Sequence, residues 1–408
     1  MPAQCDHSAR SLPRRKTPQP PLPCSQLPGA NDTVVVLKTS AAEIEARLPI
    51  HLSTTLLCYP HAIIFSDYAE NFEGYPVYDA LASVDRRIKD HHPDFELWRR
   101  LQRDGPDGLE DEELWDAETT TRGVDKWKYL PMLAEAFAKF PGKKWFVLLE
   151  TGTFVLWGEV LRFLGRWDSE RMWYFGDEGV EGEVVFARKG AGVVLSWAAV
   201  RALVELYAET RAAWEAYTEM QTAGDVVLAQ ALSEVGVEVT PAWPVFQSQR
   251  LADVQYDQVS EGRRLWCSPT VSYGGVEKGN VEELWKFEQG WMKENPDQPL
   301  LHQHIFTSFI LPRLVMRSGR VDDWDNLSND SPTPAANIDE CRGMCVEDEK
   351  CVQYSFTNGR CRLSRTPRMG EFKRGVESRW LLARVKRWGE EMGDYSEVQG
   401  CLTDDVYS

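Results

Sequence analysis

Phe146-Val147-Leu148-Leu149-Glu150-Thr151-Gly152-Thr153-Phe154 is the stretch that decides the fold. An apolar run of this length, entered through Lys144 and Trp145 and closed by an acid, reads as a strand buried on both faces. Thr33-Val34-Val35-Val36-Leu37-Lys38 has the same character, and Ala62-Ile63-Ile64-Phe65 ends at Ser66-Asp67. Between these strands the pattern turns helical. An amphipathic segment covers 41–58, interrupted by Pro49. Trp127, Leu130, Leu133, Phe137 and Phe140 recur at helical spacing, with Pro131 suited to a first turn. Strand and helix in alternation predict an α/β fold with a largely parallel sheet. Such sheets meet ligands at the carboxyl ends of their strands, which marks Asp67 and Glu150 as candidates.

Further strands are expected near 171–175, 183–188, 192–195 and 236–240, with helices near 197–220 and 224–235. Residues 88–122 are acidic and Gly/Pro-punctuated and read as a loop-rich excursion. Residues 1–32 read as a flexible Pro-rich leader. Asp322 to Pro334 reads as a polar linker, so the main domain is expected over 33–320, a small module over 322–385 and a tail over 386–408.

Composition narrows the function. The 408 residues carry 46 basic and 63 acidic side chains, a net charge of −17. That balance argues against a nucleic-acid partner or an anionic membrane surface. No apolar run is long enough to span a bilayer and no secretory h-region is visible. Membrane attachment is therefore expected only through an anchor absent from this chain.

Cys341, Cys345, Cys351 and Cys361 cluster as C-x3-C-x5-C-x9-C. Only the first pair has zinc-like spacing and no histidine follows, so a disulfide-stapled module is the better reading. An odd total of nine cysteines leaves at least one thiol unpaired. Sequons at Asn31, Asn326 and Asn329 lean the same way, toward the secretory pathway. His302 and His304, spaced by two on an amphipathic helix, do not share a face and read as core packing rather than a metal pair.

The strand-acid arrangement at 146–154 suits a nucleotide-sugar transferase, where carboxylates hold a hard cation against a diphosphate. The chain resembles the fringe-like β-1,3-glycosyltransferases (glycosyltransferase family 31), the fungal members above all. The carrying pieces, in order, are VVVLKT at 34–39, IIFSD at 63–67, DKWKYLPML at 125–133 and WFVLLETGTFVLW at 145–157. FARKGAGVVLS at 186–196, AGDVVLAQAL at 223–232, WCSPTVSYGGV at 266–276 and LWKFEQGW at 284–291 complete the set.

The resemblance implies a Rossmann-like nucleotide-diphospho-sugar transferase (GT-A type) fold. It also implies inverting, Mn²⁺-dependent transfer of a hexose from a UDP-sugar donor to a glycan or glycoprotein acceptor, in a Golgi setting. On it, Asp225 is the expected catalytic base, the alternative being a helix N-cap. Asp67, Lys126, Lys128, Glu150, Thr151, Gly190, Ala191 and Gly192 are the expected nucleotide-sugar contacts. For the two lysines, solvated positions on the helix are the favoured alternative, and for the glycine segment a tight turn.

Three positions depart from the family pattern. Glu150 stands at its first metal-binding acid, but Gly152 replaces the Asp that matters most. Tyr273-Gly274-Gly275 occupy the region of a metal-binding His. Lys189 takes the first Gly of the glycine-rich motif. The cation is thus doubtful on the sequence, which leaves an active transferase and a catalytically degenerate one both open.

Residues 322–385 resemble a PAN/apple domain, an α+β unit that binds proteins or carbohydrate. The carrying residues are the four clustered cysteines, with Val352-Gln353-Tyr354-Ser355-Phe356 and Arg362-Leu363. Four cysteines allow three pairings, and the one expected on this likeness is Cys341–Cys361 with Cys345–Cys351. A secreted binding protein working through this module is the third reading.

Overall fold

The computed structural model describes residues 23–109, 123–317 and 321–393. The rest of the proposed leader (1–22), part of the 88–122 excursion, the expected boundary near 320 and most of the tail lie outside the described residues. The first strands of the larger unit are β1 Thr33–Lys38, β2 Ala62–Ser66, β3 Glu70–Phe72, β4 Tyr75–Asp79, β5 Trp145–Glu150, β6 Phe154–Val155, β7 Tyr174–Gly176, β8 Glu178–Glu181, β9 Val184–Ala187, β10 Val193–Ser196 and β11 Thr240–Pro241. Eight of them form one sheet in the order β11-β7-β10-β5-β1-β2-β4-β3.

The sheet is mixed rather than largely parallel. β5, β1, β2 and β4 run parallel, but β10 is antiparallel to both β5 and β7, and β3 returns antiparallel on β4. The β10 reversal follows from its short connection: β9 reaches it through the Lys189–Ala191 turn, with no crossover helix to restore direction.

Burial on both faces explains the unbroken apolar runs. Val35 and Leu37 of β1 pack on one face with Val147 and Leu149 of β5. Val34 and Val36 pack on the other with Phe146 and Leu148. The first face is covered by helices Ile44–Ser53 and Trp157–Leu164, the second by Tyr129–Lys139, Trp197–Glu219 and Gly224–Glu234. Each fully buried Leu or Phe contributes about 1.5–3 kcal/mol.

Several expectations need correction. The excursion at 88–122 is not loop-rich where described: it carries helices Arg86–His91 and Glu96–Asp104, anchored by buried Phe95, Leu97 and Leu101. The end of the leader is not flexible. Cys24 bonds Cys58, the Trp157 indole donates to the Cys24 carbonyl at 3.1 Å, and Ala30 is fully buried. The strand expected over 236–240 forms only at Thr240–Pro241, because Gly236 takes a positive φ that ends the preceding helix.

The polar stretch 322–334 is not a linker either. Val321–Asp325 and Thr333–Pro334 are strands of a second, five-stranded antiparallel sheet with Gln353–Thr357, Arg360–Ser364 and Glu371–Trp380. Asn326 is no glycan acceptor in the folded chain. It is fully buried and its amide donates to the Tyr354 and Arg379 carbonyls at 3.0 and 3.1 Å. Helix Ile338–Glu347 starts at Asn337, whose side chain accepts from the Asp339 and Glu340 amides. Two disulfides, Cys341–Cys361 and Cys345–Cys351, staple helix to sheet, and Cys267 in the larger unit is also disulfide-bonded. A tail does not begin at 386, because helix Leu382–Glu391 runs through it and sets Trp388 edge-on to Trp266.

Candidate functional site

Register brings the first two charged groups together. β1 and β5 are aligned so that Lys38 faces Glu150 across the ladder, both at the carboxyl ends of parallel strands. Both follow the side-chain alternation toward the face of helix Tyr129–Lys139. There the Lys38 ammonium lies 2.8 Å from Glu150 and 2.5 Å from Asp125, in the turn before that helix.

Lys189, at the β9–β10 turn, completes the group at 3.4 Å from Asp125 and 3.6 Å from Glu150. Burial alone would raise the Glu150 carboxyl, but Lys38 and Lys189 outweigh it and hold it below the usual range. Asp125 is depressed further, its burial overcome by Lys38, Lys128 and Lys189. Lys38 is shifted upward despite its burial, chiefly by Glu150.

These groups form one wall of a cleft of about 730 Å³. The Glu150-Thr151-Gly152-Thr153 turn supplies its floor, and Gly190, Thr222, Ala223, Gly224 and Gly275 close it. Segments distant in sequence are held together by hydrogen bonds to backbone carbonyls. The Val276 amide donates to the Gly152 carbonyl at 2.8 Å, and the Thr153 hydroxyl to the Gly190 carbonyl at 3.2 Å. Strand Ser272–Gly274 pairs antiparallel with β6, which carries Gly275 to the cleft beside Gly152. Gly274 is obligatory there: a Cβ would stand 2.5 Å from the Ser248 carbonyl oxygen and 2.8 Å from that of Gly190.

Glu150, Thr151, Gly190 and Lys126 line the cleft as a group; Asp67, Lys128, Ala191, Gly192 and Asp225 do not. Asp67 is fully buried, accepts from the Ala41 amide at 2.7 Å and pairs with Lys128 at 3.4 Å. Neither lysine is solvated on a helix face. Lys128 is fully buried, donating to the Thr39 carbonyl at 3.1 Å, and it precedes the helix rather than lying on it. Lys126 is held by the carbonyls of Glu219 and Gln221 and by Asp94 at 3.1 Å.

Ala191 and Gly192 shape the turn. Gly192 has φ +78°, and a Cβ there would meet Leu149 at 2.9 Å. Asp225 sits in the first turn of helix Gly224–Glu234 but is not its N-cap, a position taken by Ala223. It is 6% exposed, its Oδ1 has no hydrogen-bond partner, and burial raises its carboxyl even though Lys189 opposes the shift.

Sequence reasoning missed Lys38, Arg47 and Asp125 as cleft residues. Arg47 lies on the exposed side of helix Ile44–Ser53, and a Cβ on Gly152 would come within 3.5 Å of its Nη1. Nothing local marks such a residue; only the packing of that helix against the 150–153 turn brings it in.

The donor set does not fit the divalent cation that the resemblance implies. Glu150 and Asp125 are already neutralised by ammonium groups, and position 152 has no side chain. Among the described residues no cluster of three or more Asp, Glu, His or Cys could hold a metal. Four cationic side chains line the cleft (Lys38, Arg47, Lys126, Lys189) against three acids (Glu43, Asp125, Glu150), so it lacks the surplus negative charge that a hard cation requires. His302 is no ligand either. It is fully buried, bonded to the Tyr273 hydroxyl at 2.7 Å and the Pro244 carbonyl at 2.8 Å, and burial pushes its imidazole down to about 3.

Compared with known families, residues 128–307 match the model described as Fringe-like. The match supports a fringe-like glycosyltransferase and, with it, a GT-A-like α/β fold. No curated protein matches the chain.

Proposed function

We propose that this protein transfers a hexose from a nucleotide-sugar, a UDP-sugar by its likeness, to a hydroxyl of a glycan or glycoprotein, with inversion at the anomeric carbon. One observation carries the reading: the cleft opens at the carboxyl ends of β1 and β5, and its walls at 150–153, 189–190, 222–224 and 275 lie within the 128–307 stretch that matches the fringe-like family. A diphosphate-sized ligand fits its volume and its surplus of cationic side chains. In the reaction the acceptor oxygen bonds to the anomeric carbon as the bond from that carbon to the phosphate oxygen breaks. The acceptor proton passes to a carboxylate, and the nucleoside diphosphate leaves with the bonding electron pair.

Asp225 is the proposed base. Its unpartnered Oδ1 and upward-shifted carboxyl suit proton uptake, and the adjacent Gly224 lines the cleft. Asp225→Asn is expected to lower kcat by about a hundredfold or more while nucleotide affinity is retained. The check is turnover of a UDP-hexose panel beside a binding titration. Unchanged turnover would remove Asp225 from the mechanism. Absence of any transfer by the unmodified protein would remove the transferase reading.

The setting proposed is the secretory pathway, in keeping with disulfides in both units. Among the described residues no helix is long and apolar enough to cross a membrane. The C-terminal sheet-and-helix unit is read as apple-like, and its proposed part is to engage the protein or glycan that carries the acceptor.

A further inference from the structure

The position where a metal-binding acid is expected, Gly152, faces a guanidinium, and the acid that remains, Glu150, faces two ammonium groups. We infer that Arg47 and Lys189 stand in for the divalent cation, so that this cleft grips the diphosphate of its donor without metal. The inference rests on the transferase reading and deepens it by naming what holds the leaving group.

The two side chains differ from the other cations of the cleft in availability. Lys38 is 8% exposed and is spent on carboxylates within the fold, as is Lys128 just outside the cleft at 0%. Lys126 is committed to carbonyls and Asp94. The Lys189 side chain is 40% exposed, with its two carboxylate contacts at 3.4 and 3.6 Å. Those are longer than the 2.5 and 2.8 Å contacts that Lys38 makes to the same acids. Its ammonium can therefore turn to an incoming phosphate while Lys38 keeps its shorter contacts to Asp125 and Glu150.

Arg47 is exposed, lines the cleft, and among the described residues no carboxylate pairs with it. Its planar donors match phosphate oxygens two at a time. A fixed cation beside the departing diphosphate stabilises the developing charge as a metal would, without a free coordination site.

The experiment is calorimetric titration of the full chain with uridine 5′-diphosphate, once in excess EDTA and once in excess Mn²⁺. The expected affinity is the same in both media within about twofold, and it falls as salt rises. Lys189→Ala and Arg47→Ala are each expected to weaken binding about tenfold or more, the scale of one charge-assisted contact, and Lys189→Arg to retain most of it. If Lys189→Ala compromises folding through its contacts to Asp125 and Glu150, the Arg47 variant still decides, since among the described residues no carboxylate pairs with that exposed side chain. Binding that needs Mn²⁺, or affinity unmoved by Arg47→Ala, overturns the inference and leaves the transferase reading standing. Binding in neither medium overturns both.

Discussion

At the scale of single residues, the site is set by one missing side chain and one added one. Against the pattern the resemblance implies, Gly152 lacks a carboxylate and Lys189 adds an ammonium, and both line the cleft with Glu150. Restoring the acid alone is therefore not expected to restore a metal site. In Gly152→Asp the new carboxylate would grow toward Arg47, whose Nη1 is 3.5 Å from the Cβ position, and form one more ion pair. Turnover and UDP affinity of Gly152→Asp are expected to change less than threefold, roughly, on adding Mn²⁺. A large Mn²⁺-dependent gain would show that Arg47 and Lys189 yield the position readily.

Both key positions were legible in the chain as departures from a pattern. Their meaning was not, because it depends on Arg47 and Lys38, which enter through helix packing and strand register. Asp67 shows the reverse error: its place at a strand end pointed to a ligand, but the Ala41 amide and the Lys128 ammonium occupy it.

At the scale of elements, strands with unbroken apolar runs were readable because burial on both faces leaves no other composition possible. The helices at 86–91 and 96–104 were not, since their polar outer faces and short lengths resemble loop, and only three or four apolar side chains tie them down. The direction of β10 was hidden for a similar reason: a reversal is written in the length of a connection, not in the strand itself.

The contact between helices Trp157–Leu164 and Lys278–Glu294 holds a less visible feature. Glu288 is 2% exposed and its carboxylate accepts from the Gly158 amide at 3.0 Å. Burial, reinforced by Glu159, pushes its carboxyl up to about 8; Glu159 itself is pushed up to about 7 by burial, with Arg162 opposing. A folded value above the unfolded 4.5 means that the neutral form is favoured in the native state. Its stabilising contribution is complete below pH 4.5 and is lost as pH rises through about 8. Glu288→Gln keeps the acceptor for Gly158 and removes that loss. The variant is expected to match the parent near pH 4.5 and to exceed it by a few kcal/mol, roughly, above pH 8 in urea unfolding. Equal midpoints at high pH would place the proton elsewhere.

At the scale of the molecule, the two units are not beads on a string. Tyr256, Trp266 and Phe306 of the larger unit share one buried cluster with Val352, Met369 and Trp380 of the smaller, and Val385 of the last helix closes it. The Gly370 amide donates to the Ala252 carbonyl at 3.0 Å, Arg368 pairs with Asp253 at 3.2 Å, and Arg250 pairs with Glu371. Scanning calorimetry of the oxidised chain is accordingly expected to give one cooperative transition, and two resolved transitions would contradict the shared core. The polar composition of 322–334 concealed this, because Asn326 and Ser328 are buried through hydrogen bonds rather than apolar surface.

The Cys24–Cys58 bond encloses β1, the strand that carries Lys38 into the cleft. Tension applied to the chain ahead of residue 23 enters the fold at Cys58 and bypasses everything between the two sulfurs. While the bond stays oxidised, a tether pulling from that end loads the helix-to-β2 connection and leaves the central strand mechanically unloaded. Reduction would reroute the same pull straight through β1.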